Sequence, residues 1–504
     1  MNRIKIILGA IVAFAALPVS AQKDFSPRYA DIITPEALKE TLTVIAGAEM
    51  EGRATATPGQ KKAAAFIEAN FKRFGLLPPT PAGYQMPFAV YQDTLQDIVF
   101  EVNGKNFSYG QSFTFTKATT SSGNYRVGEV VYVGKGDSIT ISKMDVKGKW
   151  VAINTDSVSR ASLASRRLML TRKGVKGFLY LSRNFPSTTS SLKGSMYIKA
   201  TTTTIAATRT IITTRTTART TTPTVTVSYE VASAILNTVI TKASDLEKIA
   251  AGTFVANINF NLYKRAMMLE SSNVVGVLPG TDKKDEYVIL TAHYDHMGRD
   301  GNVIYYGADD DGSGTTSIIR MAEAFAKAKR ERHGSRRTIV FMAFSGEEQG
   351  LLGSESYSQN PLFPFNNTSV NLNTDMIGRI DPDVKEDSNN YVYTIGEDKL
   401  SSDLKRITDS VRNKYSSLKI DRRFTITDSL SFYTRSDHYN FAKKGVPVIF
   451  YFNGTHADYH RPTDTVDKIN FDLMARRVKF IFHTAWIMAN RDSMLTRDIP
   501  LQPK

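Results

Sequence analysis

The chain reads as an α/β protein: a mostly parallel sheet between helices, with a smaller β-rich block set into it. Three observations predict this. From Asn273 onward, short buried-type strands alternate with amphipathic helices, which implies a largely parallel sheet covered on both faces. Between about Asp97 and Leu262 the texture changes to short β-type runs broken by turn residues. The length, 504 residues, exceeds the roughly 250–300 at which a single core stops growing.

The elements follow in order. Arg3 and Lys5, the apolar run Ile6 to Leu17 and the small residues Val19-Ser20-Ala21 form the pattern of a cleaved export signal. The apolar run is shorter than the roughly 20 residues a bilayer span needs, and no other segment is long and apolar enough. Thr34-Pro35 opens a helix through Ala46. A second helix is expected from Pro58 to Phe74, with Thr57 and Gln60 as a capping box, a stripe of Ala63, Phe66, Ile67 and Phe71, and Gly75 as its stop. The middle block holds strands at 128–134 and 149–153. It then enters a tract, 201–226, with 15 threonines, whose β-branching favours extended chain. Beyond it, strands are expected at 274–278, 287–292, 338–344, 370–374, 391–395 and 446–452. Helices are expected at 313–329, 349–357, 400–415, 437–444 and 471–490. The division is 1–21 signal, 22–118 first segment of the larger domain, 119–255 insert and 256–504 its second segment.

Composition narrows the chemistry. With 41% hydrophobic residues the chain can bury a sizeable core, so wholesale disorder is excluded. There is no cysteine, which excludes disulfides, thiolate metal sites, a cysteine nucleophile and a lipidated export signal. The formal charge of +15 raises nucleic acid or an anionic surface as partner. The charge is unevenly placed: residues 160–219 carry 12 Lys/Arg, and no Asp or Glu occurs from Ser157 to Tyr229; for a chain with an export signal, nucleic acid is not the expected partner. The rest of the mature chain is almost neutral. The basicity belongs to the insert, either as a solubilising face or as a contact for anionic polymers.

The polar residues of the second segment fall at strand ends. His293 and Asp295 follow the 287–292 strand; Glu347 and Glu348 follow 338–344; Asp375 follows 370–374; His456, Asp458 and His460 follow 446–452. The loop Gly307-Ala-Asp-Asp-Asp-Gly-Ser-Gly314 adds three carboxylates ahead of a helix. Open α/β sheets bind ligands at the carboxyl ends of their strands. Imidazoles and carboxylates without thiolate suit two divalent cations, zinc first, with manganese or cobalt as substitutes. Two such ions activate a water and polarise a carbonyl, which is machinery for hydrolysis. No HExxH is present, so this is not the helix-borne single-zinc type.

These segments resemble metallopeptidase family 28, the co-catalytic di-zinc exopeptidases. The matching motifs are 292–298 (AHYDHMG), 307–314 (GADDDGSG), 344–354 (FSGEEQGLLGS), 373–378 (NTDMIG), Arg435-Ser-Asp-His438 and 459–467 (YHRPTDTVD), in family order. Glu51-Gly-Arg53 and the Gly59 helix extend the resemblance toward the N-terminus, and the middle block resembles a protease-associated domain. The resemblance implies a zinc-exopeptidase fold and two Zn2+ per chain. One ion is expected on His293 and Asp375, the other on Glu348 and His460, with Asp310 bridging. Asp309 and Asp311 compete for that role, and the family pattern, which places the bridging acid three residues before the Ser of Ser-Gly, selects Asp310 by resemblance. Glu347 is expected as the general base, and Asp295 as the group orienting His293 through its second ring nitrogen.

Bland roles are expected elsewhere. His296 and His438 would line the pocket or satisfy local hydrogen bonds, and His456 is an ordinary loop histidine. Asp437, Asp464 and Asp467 would cap helices or hold the His460 loop. Arg379 and Arg435 stand beside motif residues, where either a substrate carboxylate or a structural ion pair could engage them. The expected activity is an exported, periplasmic or secreted aminopeptidase acting on peptides. A carboxypeptidase or dipeptidase of the same family is the alternative, and glutaminyl cyclisation a more distant one.

Overall fold

The computed structural model describes residues 24–115, 122–182, 193–199, 222–426 and 430–501. The expected signal at 1–21, and all of the threonine tract before residue 222, lie outside the described residues.

The first two helices form where their caps require. Helix Pro35–Ile45 starts with the Thr34 side chain accepting the Ala37 N–H at 3.2 Å. Helix Pro58–Phe74 starts with Thr57 accepting the Gln60 N–H, and Gly75 closes it at φ 83°, a left-handed conformation that costs glycine little.

The sheet contains two parallel runs. In the first, the neighbours in order are Val448–Phe452, Thr368–Thr374, Lys283–His293 and Arg337–Phe344. In the second they are Gly123–Tyr132, Trp150–Asn154, Gly177–Leu181 and Thr224–Val227. One long strand, Gly252–Leu278, joins them, antiparallel to Arg337–Phe344 through its C-terminal part and to Gly123–Tyr132 through its N-terminal part. Strand Gln85–Val102 pairs antiparallel with it along most of its length.

Each run has its own apolar packing. In the first, helices Pro35–Ile45, Pro58–Phe74, Gly314–Arg330 and Phe471–Asn490 cover one face, with Leu42, Ile67, Ile319, Phe325, Ile481 and Phe482 buried against Val288, Leu290 and Phe341. The other face buries Phe344, Tyr357, Phe441 and Phe450. Full burial of each such side chain contributes about 1.5–3 kcal/mol. In the second run, Phe100, Phe113, Val130, Trp150, Leu179 and Val225 form a separate cluster. Residues 95–115, assigned by sequence to the first segment of the larger domain, thus pack into this second core.

The middle stretch differs from its β-rich expectation. It contains helices Ser138–Lys143, Arg160–Arg172, Tyr229–Leu236 and Ala243–Glu247. Arg160–Arg172 crosses between Trp150–Asn154 and Gly177–Leu181, which pair in parallel and cannot be joined by a tight turn. Only Leu170 of that helix is buried, so it left little apolar period in the sequence.

Candidate metal centre

The four strands of the first run are parallel, so their carboxyl ends lie on one edge of the sheet. His293 ends Lys283–His293, Glu347 and Glu348 follow Arg337–Phe344, Asp375 follows Thr368–Thr374, and His460 follows Val448–Phe452. The structure brings these five residues and Asp310 together.

Asp310 is the common member of two groups. His293 Nε2 lies 3.3 Å from Asp310 Oδ1, 3.5 Å from Asp375 Oδ1 and 3.9 Å from Glu347 Oε2. His460 Nε2 lies 3.0 Å from Asp310 Oδ2 and 3.2 Å from Glu348 Oε2. Asp310 therefore turns one carboxylate oxygen to each histidine. Two donors at about 2.0–2.2 Å from one tetrahedral zinc lie about 3.3–3.6 Å apart, close to the spacing found here. The donor set and its spacing thus fit two divalent cations that share Asp310.

The loop Gly307–Gly314 divides its three acids by task. Asp311 accepts the N–H groups of His293 at 3.2 Å, Gly314 at 2.8 Å and Met376 at 3.0 Å. Asp309 accepts the Gly378 N–H at 2.6 Å and stands 3.1 Å from His456 Nε2. Both are consumed locally, and only Asp310 faces the two histidines. Asp464 accepts the Asp309 and Asp310 N–H groups at 3.0 and 3.2 Å, so it holds the acidic loop as well as its own. Gly307 is required by space: at φ 54°, a Cβ there would lie 2.5 Å from the His296 ring. Met376 and His460 are held at φ 59° and 55°, left-handed conformations that cost a non-glycine residue about 1–3 kcal/mol.

Asp295 meets His293 differently from the expectation. Its main-chain carbonyl, not its carboxylate, stands 3.1 Å from His293 Nδ1, and the carboxylate is 3.7 Å away. The carboxylate accepts the Thr55 hydroxyl at 2.7 Å and the Glu347 N–H at 3.2 Å. It thereby fixes the main chain of the expected base. The Asp437 side chain likewise makes no cap; it accepts the Ser354 hydroxyl at 2.5 Å.

Several contributors stand in the quoted motifs but were given no part in the metal groups by the sequence. His296 Nδ1 lies 2.7 Å from Glu348 Oε1 and 3.8 Å from Asp310 Oδ2, which makes it a second imidazole beside the Glu348 group. Arg53 is fully buried. Its guanidinium donates to the carbonyls of Tyr294 at 2.8 Å, Ile45 at 2.9 Å, Tyr306 at 2.7 Å and Gly307 at 3.0 Å. It straps the His293 loop to the acidic loop. The Tyr459 ring stacks on His460 at 3.9 Å. Met376, Phe432, Phe450 and Phe452 form an apolar wall of the cleft that exposes Glu347.

The electrostatics follow from crowding. Burial pushes the Glu347 carboxyl well above its usual range; His293 opposes this, and Asp375 and Glu348 add to it. Burial also acts to raise Asp310, but bonds from His293 and His460 outweigh it and hold that carboxyl well below the usual range. His438, buried with Nε2 2.9 Å from the Tyr433 carbonyl, is pushed down to about 3 by burial and stays neutral.

The chain resembles known proteins in sequence and in fold. Residues 273–485 match the model of peptidase family M28. A probable leucine aminopeptidase of Arthroderma otae is 28% identical over 225 residues, 43% of this chain and 57% of that protein. The chain thus spans little more than half the length of that relative. An aminopeptidase from Aneurinibacillus sp. strain AM-1 has the same fold, with a TM-score of 0.57 and 19% identity over 95% of this chain and 98% of that one. BSAP, a zinc aminopeptidase from Bacillus subtilis, superposes with a TM-score of 0.53 and 17% identity over 93% and 99% of the two chains. Every residue of the two groups sharing Asp310 lies inside residues 273–485, the segment that matches peptidase family M28.

Proposed function

We propose that the protein is an exported, zinc-dependent aminopeptidase. The observation that carries this is Asp310 turning one oxygen to His293 and the other to His460, with Glu347 beside them. His293 and Asp375 would hold one cation and Glu348 and His460 the other, with Asp310 shared. When bound, the two cations polarise the scissile carbonyl and lower the pKa of the attacking water.

The chain's own residues do the rest. Glu347, placed beside the His293 group and open to the cleft, is the carboxylate positioned to accept a proton. It takes a proton from the attacking water as oxygen bonds to the carbonyl carbon. It returns that proton to the departing nitrogen as the carbon–nitrogen bond breaks. Asp295 fixes the Glu347 main chain from behind. The apolar wall receives a side chain next to the scissile bond.

Export rests on the charged, apolar and small-residue order of 1–21. Among the described residues no helix is long and apolar enough to cross a membrane. The 119–255 block is read as a protease-associated insert, supported by its separate apolar cluster.

Hydrolysis of aminoacyl-p-nitroanilides by the zinc-loaded protein tests the reading. Activity should vanish with chelator and return with zinc. No hydrolysis across a panel of N-terminal residues would sink it.

A further inference from the structure

Two arginines stand beside the cleft, and the structure separates them. Arg379 is committed: its Nη2 lies 2.9 Å from Asp458 Oδ2 and its Nη1 3.8 Å from Asp464 Oδ1. Arg435 lines the cleft together with Glu347, Asp310 and Asp375, and among the described residues no other arginine or lysine does. Among the described residues no carboxylate pairs with it, although it borders an acidic site. Its Nη2 donates to the Tyr459 hydroxyl at 3.3 Å, and its guanidinium lies 4.9 Å from the centre of the Phe432 ring. The ring contact and the hydrogen bond orient the guanidinium, and among the described residues its other N–H groups have no hydrogen-bond partner. A fixed, unpaired guanidinium fork matches a carboxylate in two-pronged fashion.

We propose that Arg435 binds a carboxylate carried by the residue that leaves, so that short peptides with a free C-terminus, dipeptides above all, are the preferred substrates. This rests on the peptidase reading above. The charge balance gives the direction. An anion at the reacting end would meet Asp310, Glu347 and Asp375, whereas one at the Arg435 wall meets a cation. Tyr459 ties that wall to the centre, since it receives the Arg435 N–H and stacks on His460. An acidic side chain on the leaving residue offers the same chemistry as its α-carboxylate, and the substrates below distinguish the two.

The test compares kcat/KM of the zinc-loaded full chain on Leu-Leu, Leu-Leu-amide, Leu-Asp-amide and N-blocked Leu-Leu. Leu-Leu should exceed Leu-Leu-amide by about tenfold or more, the worth of one charged hydrogen-bonded pair. That ratio should collapse toward one in Arg435→Met and be partly kept in Arg435→Lys. Leu-Asp-amide matching Leu-Leu, with the same dependence on Arg435, assigns the carboxylate to the side chain. A wild-type ratio near one, or a ratio unchanged in Arg435→Met, overturns the inference while the peptidase reading stands. Cleavage of N-blocked Leu-Leu without cleavage of Leu-Leu overturns the aminopeptidase reading instead, and the wild-type to Arg435→Met comparison on that substrate then decides the arginine. No hydrolysis of any of the four overturns both.

Discussion

The two parallel runs of the sheet are built alike and equipped differently. Each has four parallel strands, and each flanks the same long strand, Gly252–Leu278. In the first run, helix Gly314–Arg330 follows the acidic loop and buries 13 of its 17 residues. In the second, Arg160–Arg172 buries only Leu170 and carries exposed arginines. The first run gathers histidines and carboxylates at its strand ends; the second presents mostly bases on its surface. Parallel topology supplies an edge where side chains can meet, and the residues placed there decide whether the edge has chemistry.

Four experiments break or sharpen this contrast. The largest effect is expected from Glu347→Gln, which should lower kcat by about 10²–10⁴-fold, the usual worth of a general base. Zinc content by elemental analysis should be unchanged, and a variant that loses its zinc would make Glu347 a ligand instead.

The two imidazoles beside Glu348 come next. His460→Ala should remove about one zinc per chain. His296→Ala should weaken zinc only about 10–100-fold, as loss of a group supporting a ligand does. Competition with a chromophoric chelator measures both, and a reversed order would exchange their roles.

Arg53→Met should destabilise the zinc-free protein by about 3 kcal/mol or more in urea unfolding. It strips buried carbonyls of their donor, at about 1–3 kcal/mol each when left unsatisfied. Its zinc affinity should fall as well, because the two loops lose their strap. Unchanged affinity would confine Arg53 to stability.

The smallest effect on folding belongs to the insert. Replacing the exposed Arg160, Arg172 and Lys176 by serine should change stability by no more than about 0.5 kcal/mol per site. Retention on a heparin column should nevertheless fall to lower salt. Unchanged elution would remove the anionic-polymer contact and leave these bases a solubilising face.

Much of the first run was legible in the sequence. Alternating strands and helices have a strong period. A polar residue just after a buried strand stands out because the strand itself is apolar, as with His293, Glu347 and Asp375. The helix Arg160–Arg172 was not legible, because a helix that buries one residue leaves no apolar stripe. The family pattern singled out Asp310, but the division of labour between Asp309 and Asp311 was hidden from spacing. It depends on which carboxylate meets N–H groups from Gly378, Met376 and His293, all distant in sequence.

The sequence by itself therefore determined the period of the body, the acids and imidazoles available for metal, and the absence of sulfur chemistry. These are properties of residue type and near-neighbour spacing. Only the tertiary structure decided which N–H groups Asp309 and Asp311 hold and that His296 stands with Glu348. It also decided that Arg53 ties two loops from more than two hundred residues away, and that Arg379 meets a carboxylate while, among the described residues, Arg435 meets none. Each of these turns on a distance between side chains of distant segments, which packing sets and local sequence does not encode.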